Sequence, residues 1–568
     1  MRLLRPWLCA ALLTSTILPA PAATWNPDPS LGNPATHRRL YEIAMNYLEQ
    51  NYDPDAGLVG VPTRTPPNKK GHTVRESTYY AYGLLLTGDP EDRAKALPIV
   101  RKVLSMQNTV PGSPLEGAFL WYAEDKWETV ANPDLNSAAF IGMTLISILD
   151  MDRKHPFLDA DLRAALEASC RLSVKGVMRR NVEPSYTNIS ILSTALAAAG
   201  TKLLGMTEAG VWAEKRLDEM LRQSGDGANY EYLSPTYGGV DIHGAYMAQR
   251  FAFSDAFAEK TQKLIDQVWM EYGGAYHAAT YQLVGPYNRS YGEDMLTYAA
   301  GVKYDFYLAL DGDYPLPDTE RDHAWDKGGL VCVADLPIKA IPDFKAKAQS
   351  WRELDAKGPG DASHPPRHLS QYQEGNLCLG TVNLQDSWTQ KRNLVAFWRS
   401  AAATPEGFRI GFCFDESNET LPSGFPRDRA LFHSKQAKGA ALVALSTSTV
   451  VPGAGASQFV FAPAASLLPG DGAPFRVQDG DVIAYVYPVS NGTPRYEGKG
   501  DERRFTLSRS WLTADVVGSL HVLSYVLVVR PANQPPPSVS GTTLTADANG
   551  VTASAVVDGV PLTLTFKN

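Results

Sequence analysis

The stretch Asp313-Tyr314-Pro315-Leu316-Pro317-Asp318 divides this chain into two halves whose apolar residues recur with different periods. Before it the period is helical. Leu40, Ile43, Ala44, Tyr47 and Leu48 follow the i, i+3, i+4, i+7, i+8 spacing that gathers apolar side chains on one face of an α-helix. Similar stripes fall at residues 94–106, 138–148, 162–177, 189–204, 211–221, 246–269 and 294–310, separated by Gly/Pro/Asn-rich loops such as 110–114 and 224–239. A series of antiparallel helical hairpins must bury its inner faces together, which predicts an (α/α) toroid, an incomplete barrel around a central cleft.

After residue 318 the pattern becomes short, alternating and rich in β-branched and aromatic residues, at 376–384, 394–399, 408–414, 458–462, 482–489, 504–508 and 522–530. Many short strands with turn residues between them predict an antiparallel β-sandwich. A Pro-rich segment at 531–537 sets off a last group of strands within 542–566. The chain thus reads as multidomain, α then β: a signal peptide at 1–22, an α/α-toroid catalytic domain at 23–320, a linker at 321–350 and an antiparallel β-sandwich domain at 351–568.

The N-terminus supports export. Arg2 and Arg5 precede an apolar run from Trp7 to Leu18 and the small-residue pattern Ala20-Pro21-Ala22, the form of a cleavable secretory signal. No later stretch reaches the ~20 apolar residues of a membrane helix, so a soluble periplasmic or secreted protein without membrane insertion is expected. The chain has 53 basic and 61 acidic residues, and the signal removes two arginines and no acids, leaving 51 against 61, a net charge of -10. That balance argues against nucleic acid, which is bound by clustered Lys and Arg. An acidic substrate would have to be met by positive charge gathered locally. Cys9 leaves with the signal; Cys170, Cys332, Cys378 and Cys413 are widely spaced and form no CxxC pair, which reads as buried thiols or at most one or two disulfides. No metal ligand set and no cofactor motif stand out, and nothing in the sequence indicates an oligomeric state.

The loops of the helical half are rich in Tyr, Asn and Trp, residue types suited to sugars, which offer apolar ring faces and many hydroxyls. Five stretches carry the candidates: 72–82 with Arg75 and Glu76; 119–122 with Trp121 and Tyr122; 134–136 with Asp134 and Asn136; 230–246 with Glu231, Tyr237, Asp241, His243 and Tyr246; and 285–294 with Tyr287, Asn288, Arg289, Tyr291, Glu293 and Asp294. In the last, a Gly-Pro break places Tyr287 to Tyr291 on a loop ahead of a helix opened by Glu293 and Asp294. A cation two residues from a phenol favours the phenolate and lowers its pKa. The plain alternative has Tyr287 and Tyr291 packing at a domain junction while Arg289 pairs with Glu293. If a helix starts near Val240, His243 and Tyr246 share one face. Asn188, in Pro184-Ser-Tyr-Thr-Asn188-Ile, is either a helix N-cap or an amide for a substrate carboxylate.

The order Asn188, His243, Arg289 with tyrosines close by, in a helical domain followed by a β domain, resembles the toroid-plus-sandwich polysaccharide lyases, the group of chondroitin AC, hyaluronate and some alginate lyases. The resemblance implies metal-independent β-elimination on a uronic-acid-containing polysaccharide. Asn188 would neutralise the sugar carboxylate, His243 and Tyr291 would be base and acid candidates, and Arg289 would polarise the site. Arg75, Trp121, Asn136, Tyr237, Tyr246, Tyr287 and Glu293 would bind substrate. The His-to-Tyr spacing departs from the family's pattern, which leaves Tyr237, Tyr246 and Tyr291 as alternatives.

Two rivals remain. A glycoside hydrolase on the same toroid would need two carboxyl groups about 5 to 9.5 Å apart, drawn from Asp134, Glu231, Asp241, Glu293 and Asp294. A non-catalytic glycan-binding envelope protein would need only the aromatic loops. In the β domain, Trp388, Gln390 and Arg392 beside His433 are candidates for a contribution to the toroid's rim. Asn188-Ile-Ser and Asn288-Arg-Ser match the N-glycosylation pattern, but a glycan there would block the expected cleft, which favours a bacterial setting.

Overall fold

The computed structural model describes residues 25–62, 70–225, 227–296, 300–316, 327–344, 350–361, 365–386, 390–400, 409–416, 430–448, 456–469, 474–489, 497–500, 504–510 and 513–567. The expected signal peptide, residues 321–326 and 345–349 of the expected linker, and Trp388 lie outside these residues.

Eleven described helices build the N-terminal half: α1 (Pro34–Asn51), α2 (Val74–Leu86), α3 (Pro90–Leu104), α4 (Ser137–Lys154), α5 (Ala160–Arg180), α6 (Thr187–Leu204), α7 (Thr207–Gln223), α8 (Gly238–Arg250), α9 (Asp255–Gly274), α10 (Val302–Ala309) and α11 (Leu330–Ala334). Their starts are written in the sequence. Asn33, Asp89, Asp159 and Ser254 each accept a hydrogen bond from a backbone N–H of the first turn, and Pro34 and Pro90 occupy positions whose missing N–H costs nothing. Asn181 and Gly205 close α5 and α6 in the left-handed conformation.

Burial sorts these helices into two rings. In α2, α4 and α6 nearly every side chain is buried, whereas α3, α5, α7 and α9 bury one stripe and expose the other. A helix apolar on all sides has to be surrounded, and an amphipathic one lies outside it. Thus α2, α4, α6 and α8 lie side by side as the inner ring, each backed by the helix that follows it. The short α10 and α11 span the arc from α8 back to α1 and α2. Gly244 lets α8 press on α6, where a Cβ would fall 2.7 Å from Ile191.

Two expectations need correction here. The segment 72–82 is not a loop: from Val74 onward it is inner helix α2, whose buried Glu76, Ser77 and Thr78 among the tyrosines leave no apolar stripe to read. No helix opens at Glu293 and Asp294. Residues 291–296 are bends, with the Met295 N–H donated to Gln282 Oε1 and the Leu296 N–H to Asp294 Oδ1, and α10 begins only at Val302.

Short strands β1 (Tyr52–Asp53), β2 (Leu58–Pro62) and β3 (Lys70–Thr73) form one small sheet, and β4 (Tyr276–His277) with β5 (Gln282–Leu283) another. The C-terminal half continues with β6 (Trp351–Ala356), β7 (Arg367–Glu374), β8 (Leu377–Asn383), β9 (Gln385–Asp386), β10 (Leu394–Ser400), β11 (Arg409–Asp415), β12 (Leu431–Ala437), β13 (Ala440–Thr447), β14 (Ala456–Phe461), β15 (Ser466–Leu467), β16 (Phe475–Asp479), β17 (Val482–Val489), β18 (Glu497–Gly500), β19 (Phe505–Ser510), β20 (Asp515–Val517), β21 (Leu520–Pro531), β22 (Val539–Asp547), β23 (Gly550–Val557) and β24 (Val560–Phe566). One antiparallel sheet runs β18-β19-β14-β11-β10-β8-β7-β6, and a second runs β15-β16-β17-β21-β13-β12-β9. Their inner faces share a core of Leu379, Trp398, Phe459, Leu445 and Tyr525, making a sandwich. The last three strands form their own sheet, packed on the outer face of the second through Leu442, Val526, Leu564 and Phe566. The chain is therefore a helical toroid followed by an antiparallel β-sandwich.

The halves meet along a tight seam. Gly380 of β8 lies so close to the Gly285 carbonyl that a Cβ would fall 1.7 Å from its oxygen. Gln371 donates to the carbonyls of Val284 (2.6 Å) and Gly285 (3.0 Å), and Arg352 donates to those of Glu271 and Met270. Tyr287 and Arg392 form a two-way backbone bridge.

Candidate active site

Where the inner ring faces the β domain, a cleft of about 560 Å³ opens. One wall is the loop ahead of α4, with Trp121, Tyr122, Asp125, Trp127, Asp134 and Asn136; Arg75 and Phe140 project from α2 and α4, and Tyr186, Asn188, Tyr237 and Tyr291 complete it. The wall loop is tied to the β3–α2 junction by backbone bonds from Val74 to Trp121 and from Ala123 to His72.

Arg289 organises the floor. Its Nη1 donates to Glu231 Oε1 at 2.9 Å, its Nε to Gln390 Oε1 at 2.6 Å, and its Nη2 reaches the hydroxyls of Tyr291 (3.3 Å) and Tyr237 (3.4 Å). The two phenol oxygens lie 2.6 Å apart, and the guanidinium sits 4.7 Å from the centre of the Tyr237 ring. Glu231 does two further jobs. Its Oε2 accepts from both the backbone N–H (3.2 Å) and the side-chain Nδ2 (2.7 Å) of Asn188, so a carboxylate satisfies an orphan donor at the positive end of α6. Asn188 is therefore not the N-cap. It lies one residue inside the helix, fully buried against Glu231 yet on the cleft's lining, with Oδ1 lacking a partner among the described residues.

The electrostatics follow burial first. Desolvation raises the pKa of Glu231, opposed by Arg289 and the Asn188 bonds. Burial likewise raises Tyr237 well above the ordinary phenol range, with Arg289 pulling the other way. For Tyr237, desolvation exceeds the attraction of the guanidinium, and at Tyr287, one of the two phenols that the sequence sets two residues from Arg289, burial raises the pKa where the sequence reading has the cation lower it. Tyr237 is held as a neutral O–H donor.

Several expected residues are elsewhere. His243, half-buried, lines an inner pocket of about 110 Å³ behind the cleft, next to Val240, Leu330 and Val333. Burial, assisted by the charge of Arg250, pushes its pKa down to about 4, so the imidazole is neutral near pH 7. Arg75, Phe140 and Tyr237 line both spaces. Tyr246 turns toward α9, its hydroxyl accepting from Trp269 Nε1 at 3.0 Å. Tyr287 is buried in the seam with its hydroxyl donated to the Leu283 carbonyl at 2.6 Å. Neither it nor Tyr246 lines the cleft. Arg289 pairs with Glu231 rather than Glu293, because residues 291–296 are not helical and do not place Glu293 one turn away. Arg75 is bound to Glu76 at 2.7 Å and lies 5.2 Å from the Trp121 ring. Asn136 faces Tyr186 at 3.4 Å and accepts from Arg180.

Of the β-domain candidates, Gln390 reaches Arg289, as above. Arg392 is buried between Glu416 (3.3 Å) and the Phe414 ring (4.4 Å), and His433 is stacked on Phe566 away from the rim. Asn188 and Asn288 are both buried, which closes them to glycosylation in the folded chain. The four cysteines are buried free thiols. The residue that sequence reasoning undervalued is Glu231, offered only as half of a hydrolase pair; its tie to Asn188 and Arg289 has no local sequence signature.

A helical toroid joined to a β-sandwich, with a phenol pair and a guanidinium under an aromatic cleft, is the class of structure this chain defines. By sequence it belongs to a family described as Domain of unknown function (DUF8769), whose model matches residues 38–326. No curated protein matches the sequence. Among solved structures it is similar to heparinase III, at 10% identity and a TM-score of 0.46, covering 97% of this chain and 94% of that one. It is also similar to a Streptomyces coelicolor A3 chondroitin AC lyase in complex with chondroitin sulphate, at 10% identity and a TM-score of 0.47, covering 93% and 84%. Paenibacillus xanthan lyase is similar at 10% identity and a TM-score of 0.46, covering 94% and 61%.

Proposed function

We propose that this protein is an exported polysaccharide lyase that cleaves a uronic-acid-containing polysaccharide by β-elimination without a metal. The observation that carries the reading is the convergence of two phenols and a guanidinium within hydrogen-bonding reach, at the floor of a cleft walled by Trp121, Tyr122, Trp127 and Tyr186.

The chemistry assigns roles to these atoms. A base takes the proton next to the uronate carboxylate, the electron pair forms a carbon–carbon double bond, the bond to the glycosidic oxygen breaks, and that oxygen takes up a proton. Tyr291 is the base: it enters as the phenolate, its own proton released to solvent and its charge met by N–H donation from Arg289 and O–H donation from Tyr237, and the proton it takes from the sugar afterwards passes across the 2.6 Å contact to restore Tyr237. Tyr237, kept neutral by burial, supplies the proton to the departing oxygen. The second N–H of the Asn188 amide stabilises the enolate-like intermediate, a contribution typically worth ~3 kcal/mol for a preorganised donor. His243 is given no proton-transfer role in this scheme, because it lines the inner pocket and not the cleft, which Tyr237 and Tyr291 both line.

The hydrolase alternative has weaker support. The carboxylates on the cleft's lining are Asp125 and Asp134, both from the same wall loop, whereas an acid and a base must flank the sugar. Glu231 is occupied by Asn188 and Arg289, and Asp241 is buried beneath them with the Tyr272 hydroxyl at 3.3 Å.

The test is a panel of uronic-acid polysaccharides (alginate, hyaluronan, chondroitin sulphate, heparan sulphate, xanthan) with near-ultraviolet absorbance and reducing ends read in parallel. Elimination yields both signals. Reducing ends without the absorbance would establish hydrolysis, and neither signal on any glycan would leave binding alone. N-terminal sequencing of protein recovered from the periplasm or medium tests export, with cleavage after Ala22 as the expected result.

A further inference from the structure

A groove of about 1100 Å³, roomier than the cleft, lies on the β-sandwich. It lies between the turn joining β7 to β8, the turn joining β12 to β13, and the last three-stranded sheet. Strand β8 connects it to the cleft side: Leu377 lines the groove, and beyond Asn383 at the strand's other end Gln385 bonds the Tyr232 hydroxyl at 2.8 Å. The rise of a strand puts the two ends about 20 Å apart.

The groove has the composition of a glycan surface. Trp351 and Tyr372 are direct cross-strand partners on β6 and β7, so their rings stand side by side. Trp351 is 36% exposed, the one aromatic among the large apolar side chains exposed to that degree in the described residues. Tyr372 gives its hydroxyl to Glu374, which leaves its ring for contact. Opposite them stand Lys435 and Lys438, both exposed and, among the described residues, with no carboxylate partner. Of the groove's acids, Asp558 is paired with Arg530 and Glu374 accepts the Tyr372 hydroxyl, while Glu353 and Asp481 have no Lys or Arg partner among the described residues. The cleft is the reverse case, since Arg289 and Arg75 each face a buried carboxylate. A chain of net charge -8 therefore keeps uncommitted cations for an anion in the groove and not in the cleft.

We propose that this groove is a second, non-catalytic binding site for an acidic polysaccharide, with sugar faces on Trp351 and Tyr372 and the carboxylate or sulphate groups on Lys435 and Lys438. It holds the polymer while another stretch of chain enters the cleft, and in that respect it rests on the function proposed above.

The experiment is affinity electrophoresis of the full-length protein through gels containing each polysaccharide of the same panel, with dextran as the neutral control. Wild type is expected to be retarded by at least one acidic polymer and not by dextran. The triple variant Trp351→Ala, Lys435→Gln, Lys438→Gln is expected to bind that polymer about tenfold more weakly, while Tyr291→Phe binds as wild type does. All three substituted side chains are exposed, so its melting curve should match wild type. Equal retardation of triple variant and wild type, or no retardation of wild type by any acidic polymer, overturns the proposal. Binding without cleavage would instead overturn the lyase reading and leave the groove standing; cleavage of short oligosaccharides at an unchanged rate by the triple variant separates the two sites.

Discussion

The hydroxyls of Tyr237 and Tyr291 lie 2.6 Å apart although 54 positions separate them in the chain. Tyr237 is placed by the turn that enters α8, where its N–H is donated to Ser234 Oγ; Tyr291 is placed by a loop pinned to the same turn, its N–H donated to Thr236 Oγ1 at 3.2 Å. Ser234 in turn donates to the Arg289 carbonyl at 2.7 Å. One short segment thus positions both phenols and the guanidinium.

Tyr237→Phe and Tyr291→Phe should each lower kcat about 10²- to 10⁴-fold with little change in melting temperature, because one positioned acid or base is lost and the ring is kept. The double variant should be no more than a few-fold worse than the slower single one, as expected for groups acting as a unit. Initial rates by absorbance decide it. Retention of near-full turnover by both single variants would remove the phenol pair from the mechanism.

Trp121→Ala should raise KM about tenfold and leave kcat within a few-fold, since the ring walls the cleft and takes no part in the hydrogen bonds among Tyr237, Tyr291 and Arg289. A fall in kcat as large as that of Tyr291→Phe would show instead that losing the ring displaces Arg75 and the floor with it.

Glu231→Ala leaves the Arg289 guanidinium and the start of α6 without their carboxylate. Breaking a buried pair in this way costs about 3–5 kcal/mol, so a clear loss of stability in chemical denaturation is expected together with loss of activity. A variant as stable as wild type would mean that the carboxylate is replaceable by water.

Gly380→Ala drives a methyl group against the Gly285 carbonyl and should cost about 1–3 kcal/mol by overpacking. It should also lower activity, because Gly285 begins the loop that carries Arg289 and Tyr291. Gly500→Ala, where the nearest atom is a ring carbon at 3.6 Å, is the control expected to change neither.

Burial pushes the pKa of His433 down to about 4 from an ordinary 6.5. Between those values the unfolded chain binds a proton that the folded one refuses. Stability from this group is therefore complete above pH 6.5 and falls as pH drops toward 4, by up to about 1.4 kcal/mol per pH unit. His433→Phe should flatten the acid limb of a stability profile by that slope. An unchanged limb would show that His433 is protonated in the folded state.

The sequence by itself determined the order of the architecture, because the switch from helical to alternating period at residues 313–318 is a property of neighbours along the chain. It also marked Asn188, Arg289, Tyr237 and Tyr291 as residue types suited to sugar chemistry. What it left out is what burial decides. Helix α2 was hidden because it buries Glu76, Ser77 and Thr78, side chains that read as exposed in the sequence, and the break between α8 and α9 at Phe251 to Ser254 was smoothed over by a continuous apolar pattern. The tertiary structure alone assigned Glu231 to Arg289 and Asn188, brought Gln390 of the β domain to the same guanidinium, sent Tyr287 into the seam and moved His243 behind the cleft. Those outcomes depend on which atoms are desolvated together, and desolvation is set by the packing of distant segments rather than by spacing in the chain.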